Sequence, residues 1–217
     1  PEIAVASTKA YVTQLAAFYI LGLYFASLKG TMSDEEIEEI KTHLLEIPNK
    51  IEKALGMKDS LQKFASSHYN HKDMYFLGRG LDYSTAMEGA LKIEETLARA
   101  ATAYEMEEYL HGPCYETTPD RTVMIIDAPG SASSRAYQLY QKLFALTPKT
   151  YLITTRKCEG EHVLSLPYPV KEELSVFINI IPFQLIAALG REQGGNPYED
   201  RFTVFGDAMS TKSPRKG

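Results

Sequence analysis

Tryptophan is missing from this 217-residue chain and cysteine nearly so, Cys114 and Cys158 being the whole complement. Two cysteines cannot build a disulfide framework, and neither a CxxC pair nor a Cys/His metal spacing occurs. A reduced, cytoplasmic setting is therefore expected, with no metal. A basic excess is absent too: Lys and Arg total 23 against 28 Asp and Glu, for a net charge of -5. With no cationic stripe left over to neutralise phosphates, nucleic acid is not an expected partner. No signal peptide is expected from the opening residues. The most apolar run, residues 15–28 (LAAFYILGLYFASL), is about five residues short of a bilayer and contains Gly22 and Ser27. It reads as a buried helix, so no membrane is expected either. No internal repeat or low-complexity tract is visible.

What the sequence does have is concentrated between Met74 and Pro113. Met74 to Leu77 has strand composition, Gly78-Arg79-Gly80 is a turn that admits close backbone approach, and Thr85 to Arg99 has helical periodicity. In open parallel sheets ligands sit at the carboxyl ends of strands, where such a turn lies. On the helix, Glu88, Lys92, Glu95 and Arg99 recur at i, i+4, i+7 and i+11 and share one face. That spacing alone also suits a solvated face with Glu-to-Lys pairing. His111-Gly112-Pro113, after the acidic and aromatic segment Tyr104 to Tyr109, supplies the third part of a general acid–base set. Asp82, at the start of the helix, puts a carboxylate on its positive end and makes the glycine turn a poor phosphate site.

Around this centre the pattern is regular. Ser7 or Thr8 is expected to cap the first helix, whose free N–H groups would attract an anion toward Val5, Ala6 and Ser7. Gly30 ends it. Ser33 starts an amphipathic helix over residues 34–55, with a break or kink at Pro48, and a third helix follows over 59–68. These helices form an arm expected to pack on a neighbouring domain or subunit. His68 and His71 read as loop residues. Thr122 to Asp127, Thr150 to Thr155 and Glu161 to Leu166 read as strands, with helices over 133–146 and 174–188. Strands alternating with helices imply a three-layer α/β/α, flavodoxin-like parallel sheet with an N-terminal helical arm. The expected divisions are 1–58 (arm), 59–193 (α/β domain) and 194–217 (tail).

Three segments, PEIAVASTKAYVTQ (1–14), FLGRGLDYSTAMEGALKIEE (76–95) and LHGP (110–113), resemble the sugar isomerase (SIS) family, in particular the isomerase half of glucosamine-6-phosphate synthase and its relatives. The resemblance implies a phosphosugar isomerase that moves a proton between C1 and C2 of a hexose 6-phosphate or an aminated derivative, without metal or organic cofactor. By alignment with the family, Glu95 is the shuttle base, Lys92 its companion, and His111 the ring-opening histidine supplied by a neighbouring subunit of a homodimer. Val5, Ala6, Ser7, Gly78, Arg79 and Gly80 fall in substrate-binding segments. Lys212, in Thr211-Lys212-Ser213, matches the lysine that forms an imine with the open-chain ketose. Departures exist: Glu94 stands where the synthases have a second lysine, and Glu107 and Glu108 suit relatives that remove amines from fructosamine or glucosyl-amine 6-phosphates. The resemblance thus leaves a deglycase or a non-catalytic sugar-phosphate-binding module as alternatives. Family members usually carry two SIS domains, and this chain aligns with the second, so the resemblance implies a first outside it.

Overall fold

The computed structural model describes residues 6–68, 73–130, 133–166 and 171–194. The expectations for Val5, His71, Lys212 and residues 195–217 lie outside the described residues.

Five parallel strands form one sheet in the order β2-β1-β3-β4-β5: β1 (Asp73–Gly78), β2 (Ala100–Glu105), β3 (Thr122–Asp127), β4 (Thr150–Thr154) and β5 (Val163–Ser165). This is the flavodoxin-like arrangement expected. Central strands β3 and β4 are buried along their whole length, which is why they read as unbroken apolar runs. One face carries α3 (Lys58–His68), α4 (Leu81–Leu97), α7 (Val176–Asn179) and α8 (Ile181–Gly194), packed on Met74, Phe76, Met124 and Ile153. The other carries α5 (Met106–Tyr109) and α6 (Ser133–Leu146) against Tyr75, Leu77, Val123 and Ile125.

Several boundaries differ from the sequence reading. Edge strand β2 went unforeseen because AATAYE is alanine-rich and lacks the β-branched run that marks a strand. Helix α4 begins four residues early and stops at Leu97, because Ala98 takes a left-handed conformation (φ 54°), so Arg99 leaves the helix and the charged stripe. The single helix expected over 174–188 is divided into a short turn (Glu172–Leu174), α7 and α8. Here Pro182 falls in the first turn of α8, where its missing N–H costs little.

The arm is α1 (Lys9–Lys29) and α2 (Asp34–Leu55). Ser33 and Glu36 close a reciprocal capping box on α2, which runs unbroken through Pro48. Its apolar stripe joins the core of this same domain through Ile47 and Ala54, against α7 and α8. Two expectations for α1 are overturned. Thr8 sits at the N-cap, but its side chain makes no capping bond to the first turn. Nor is the helix buried. Tyr11, Val12, Leu15, Ala16 and Tyr19 pack on the core, while Phe18, Ile20, Leu21, Phe25 and Leu28 face outward, Phe18 with 70% of its surface exposed. A helix apolar all round has no polar side to turn to water, so one stripe packs and the rest is left open. At 21 residues α1 is also longer than the apolar run suggested; it and residues 172–194 are long and apolar enough, by length and composition, to cross a membrane, although the latter is mostly buried in the core.

Candidate functional site

The chemistry lies on α4. Its 3.6-residue period puts Glu88, Lys92 and Glu95 on one face, and packing against β1, β2 and α8 sinks that face into the domain. Lys92 keeps only 2% of its side chain exposed, and its Nζ is 3.3 Å from Glu88 Oε1 and 2.5 Å from Glu95 Oε2. A buried ammonium is held only where carboxylates repay its lost hydration, and here two do. Burial raises the Glu88 carboxyl above its usual range, against the pull of Lys92. Tyr11 of α1 completes the wall. Its hydroxyl bonds the Thr85 side chain and lies near Glu88; burial, reinforced by that carboxylate, pushes its pKa up to about 12. It stays a neutral phenol at any ordinary pH.

Helix α1 crosses α4 in the opposite sense. Tyr11 meets Thr85 and Glu88, whereas Tyr19, two turns on, packs at a tilt on Phe177, two residues before Asn179, which bonds Asp82 at the start of α4. Half-buried Ala6 and Ser7 lie ahead of the Tyr11 end of α1.

The remaining candidates lie toward the start of α4. Gly78 closes β1 so tightly on α4 that a Cβ would stand 2.3 Å from the Asp82 carbonyl oxygen, and Gly80 adopts φ +57°, so both are required by the turn. Arg79 is exposed on it. Fourteen residues of helix separate Leu81 from Glu95, about 20 Å at 1.5 Å per residue. Strand β2 then climbs back to the level of Gly78, where Glu105 pairs with it, and α5 and exposed His111 follow. His111 thus lies at the turn end, and within one chain it is brought together with Arg79 and Glu107, not with Glu95. Glu107 is engaged by Arg135, which donates from Nε (2.8 Å) and Nη2 (2.9 Å) and, helped by Arg79 and His111, holds its carboxyl low. A carboxylate so paired is poorly placed to receive a substrate amine.

Glu88 stood in the sequence stripe without a role, and Tyr11 carried no signal, because its contact depends on how α1 crosses α4. Among the described residues no group of three His, Cys, Asp or Glu side chains could hold a metal ion.

The sequence matches the SIS domain family over residues 68–188. Glutamine–fructose-6-phosphate aminotransferase [isomerizing] of Clostridium acetobutylicum is 57% identical over 112 residues, covering 52% of this chain and 18% of that protein. The protein of the same name from Caldanaerobacter subterraneus is 38% identical over 201 residues, covering 86% of this chain and 31% of its own length. The chain thus spans less than a third of these curated relatives. Among solved structures, the C-terminal domain of glucosamine-fructose-6-phosphate aminotransferase from Francisella tularensis superposes with a TM-score of 0.80 at 28% identity, covering 88% of this chain and 55% of that one. A Clostridium difficile protein named as a phosphosugar isomerase gives 0.82 at 26% identity, covering 94% and 59%.

Proposed function

The chain belongs to the SIS domain family, and from that membership we propose that it carries the proton-moving part of a phosphosugar isomerase site of the glucosamine-6-phosphate synthase type. One observation carries the reading: a nearly water-free lysine bonded to two carboxylates on one helix face, a costly arrangement that a merely structural stripe has no need of. In this reading Glu95 takes the proton from C1 of the open-chain ketose and returns it to C2 on the same face. Lys92, bonded to it at 2.5 Å, holds that carboxylate in place between turnovers. The start of α1, just after Ala6 and Ser7, receives the anionic end of a hexose 6-phosphate through its N–H groups. Lys212 is the imine-forming residue of the same reading.

His111 opens the sugar ring from a neighbouring subunit. The separation of about 20 Å along α4 supports this, since no side chain spans it within one protomer. The working unit is then a homodimer, and the outward apolar face of α1 accords with a further SIS domain packed there. The Arg135–Glu107 pair favours isomerase over deglycase in so far as it engages one of the two carboxylates, Glu107 and Glu108, that suit a substrate amine. A cytoplasmic setting belongs to the same reading.

The test is exchange of solvent deuterium into C1 of fructose 6-phosphate, and its appearance at C2 of any aldose formed from it. Exchange is expected with the native protein and is expected to fall by at least about 100-fold in Glu95→Gln. Exchange that survives this substitution would remove Glu95 from the role, and tight sugar-phosphate binding without exchange in the native protein would leave a sensor.

A further inference from the structure

The carboxyl ends of β1 and β3 flank the point where strand order reverses, and a polar cluster is buried there that the proposed chemistry does not use. Its centre is Asp82, which is 5% exposed. Oδ2 accepts from the Ala128 N–H at 2.7 Å and Oδ1 from Asn179 Nδ2 at 3.0 Å, so one carboxyl ties the start of α4 to the loop after β3 and to α7. The groups facing it are acidic. Asp127, on β3, and Glu172, in the turn before α7, both oppose its ionisation. Glu172 is pressed so closely on the β3 loop that a Cβ on Gly130 would meet its carboxylate at 2.2 Å. Arg156 bonds Asp127 Oδ2 from Nη2 and Nε at 2.7 and 3.0 Å. Two buried acceptors in this cluster, Asn179 Oδ1 and Asp127 Oδ1, have no partner among the described residues. An ionised Asp82 therefore adds a second buried carboxylate beside Asp127, with exposed Glu172 near it, where there are already too few donors. A protonated Asp82 removes that charge and, with the Asn179 amide turned, donates its O–H to the unpaired Asn179 Oδ1.

We infer that Asp82 is a proton-operated latch: protonated, it fastens the 172–179 segment to the sheet, and ionised, it loosens that segment and the α1 helix resting on it. The connection to α1 is direct, because Tyr19 donates its hydroxyl to the Glu173 carbonyl and its ring meets Phe177 at a tilt, 5.3 Å between centroids. A proton at the switch point thus regulates how firmly the helix bearing Ala6 and Ser7 is held. The inference stands whether or not the isomerase reading does.

Burial raises the Asp82 carboxyl to about 6, well above its ordinary 3.8. A group whose folded pKa is raised gives stability that is whole below about pH 4, is lost as pH rises toward 6, and changes no further above. The experiment compares the native chain with Asp82→Asn by urea denaturation from pH 4 to 7.5, with amide hydrogen exchange at both ends. Asparagine keeps the acceptor for Ala128 and cannot ionise. The variant should equal the native protein near pH 4 and exceed it at pH 7 by roughly ten- to a hundredfold in the folding equilibrium. Native amides of 172–179 and α1 should exchange faster at pH 7 than at pH 5 after correction for intrinsic rates, and those of the variant should not. Parallel pH profiles would overturn the inference. If Asp82→Asn does not fold, carbon-13 titration of the native Asp82 carboxyl decides: a midpoint near 6 supports the latch, and one near 4 refutes it.

Discussion

Lys92 shows how much a single residue can carry in this fold. Its side chain is almost fully buried, and carboxylates at 3.3 and 2.5 Å offset the desolvation of its ammonium. Replacing it with methionine keeps the stem's packing and leaves Glu88 and Glu95 facing each other without a counter-charge. We expect Lys92→Met to cost about 3 kcal/mol in urea denaturation with little change in slope, and Glu88→Gln added to it to recover part of the loss. A cost under about 0.5 kcal/mol would mean that the three groups act as an ordinary surface stripe. The i, i+4, i+7 spacing of these residues was plain in the sequence; their burial was not. Periodicity says which residues share a face, and only the packing of α4 on its neighbours says whether that face is wet.

Helix α4 is also the element whose direction divides the candidate residues. Its glycine turn, its apolar face and its place after β1 were legible because glycine and strand composition punctuate the sequence strongly there. Its consequence for the site was not legible. Linear order sets Arg79 sixteen positions before Glu95 and His111 sixteen after, whereas the helix sends Glu95 to one end of the domain and β2 brings His111 back to the other. Exposure of α1 escaped the sequence for a related reason: a helix apolar on all sides carries no mark of which stripe packs. At Gly89, α4 and α8 touch. A Cβ there would lie 2.8 Å from Phe183 Cγ, and that ring is fully buried and pressed on Phe76 at 5.2 Å. Alanine normally favours a helix over glycine by about 1 kcal/mol. Here overpacking should outweigh that gain, and Gly89→Ala is expected to lower thermal stability by roughly 1–2 kcal/mol, with Phe183→Leu in the same chain relieving much of it. A rise in melting temperature for Gly89→Ala alone would show that α8 can retreat freely.

At the scale of the whole molecule, one sheet with helices on both faces supplies the scaffold, while the groups that would do chemistry stand at its two ends. Apolar side chains of α1 face outward, and a groove of about 1050 Å³ lies between α1 and α2. In the proposed reading, the separation of His111 from Glu95 means that a complete acid–base set draws on two copies. Subunit mixing tests this most directly. Glu95→Gln and His111→Ala are each expected to be inactive in fructose 6-phosphate exchange. Unfolded together and refolded as an equal mixture, half of the dimers should be mixed, each with one intact composite site, and activity should return to about a quarter of native. A mixture as inactive as its parents, with mixed dimers verified by mass, would contradict a site shared between subunits.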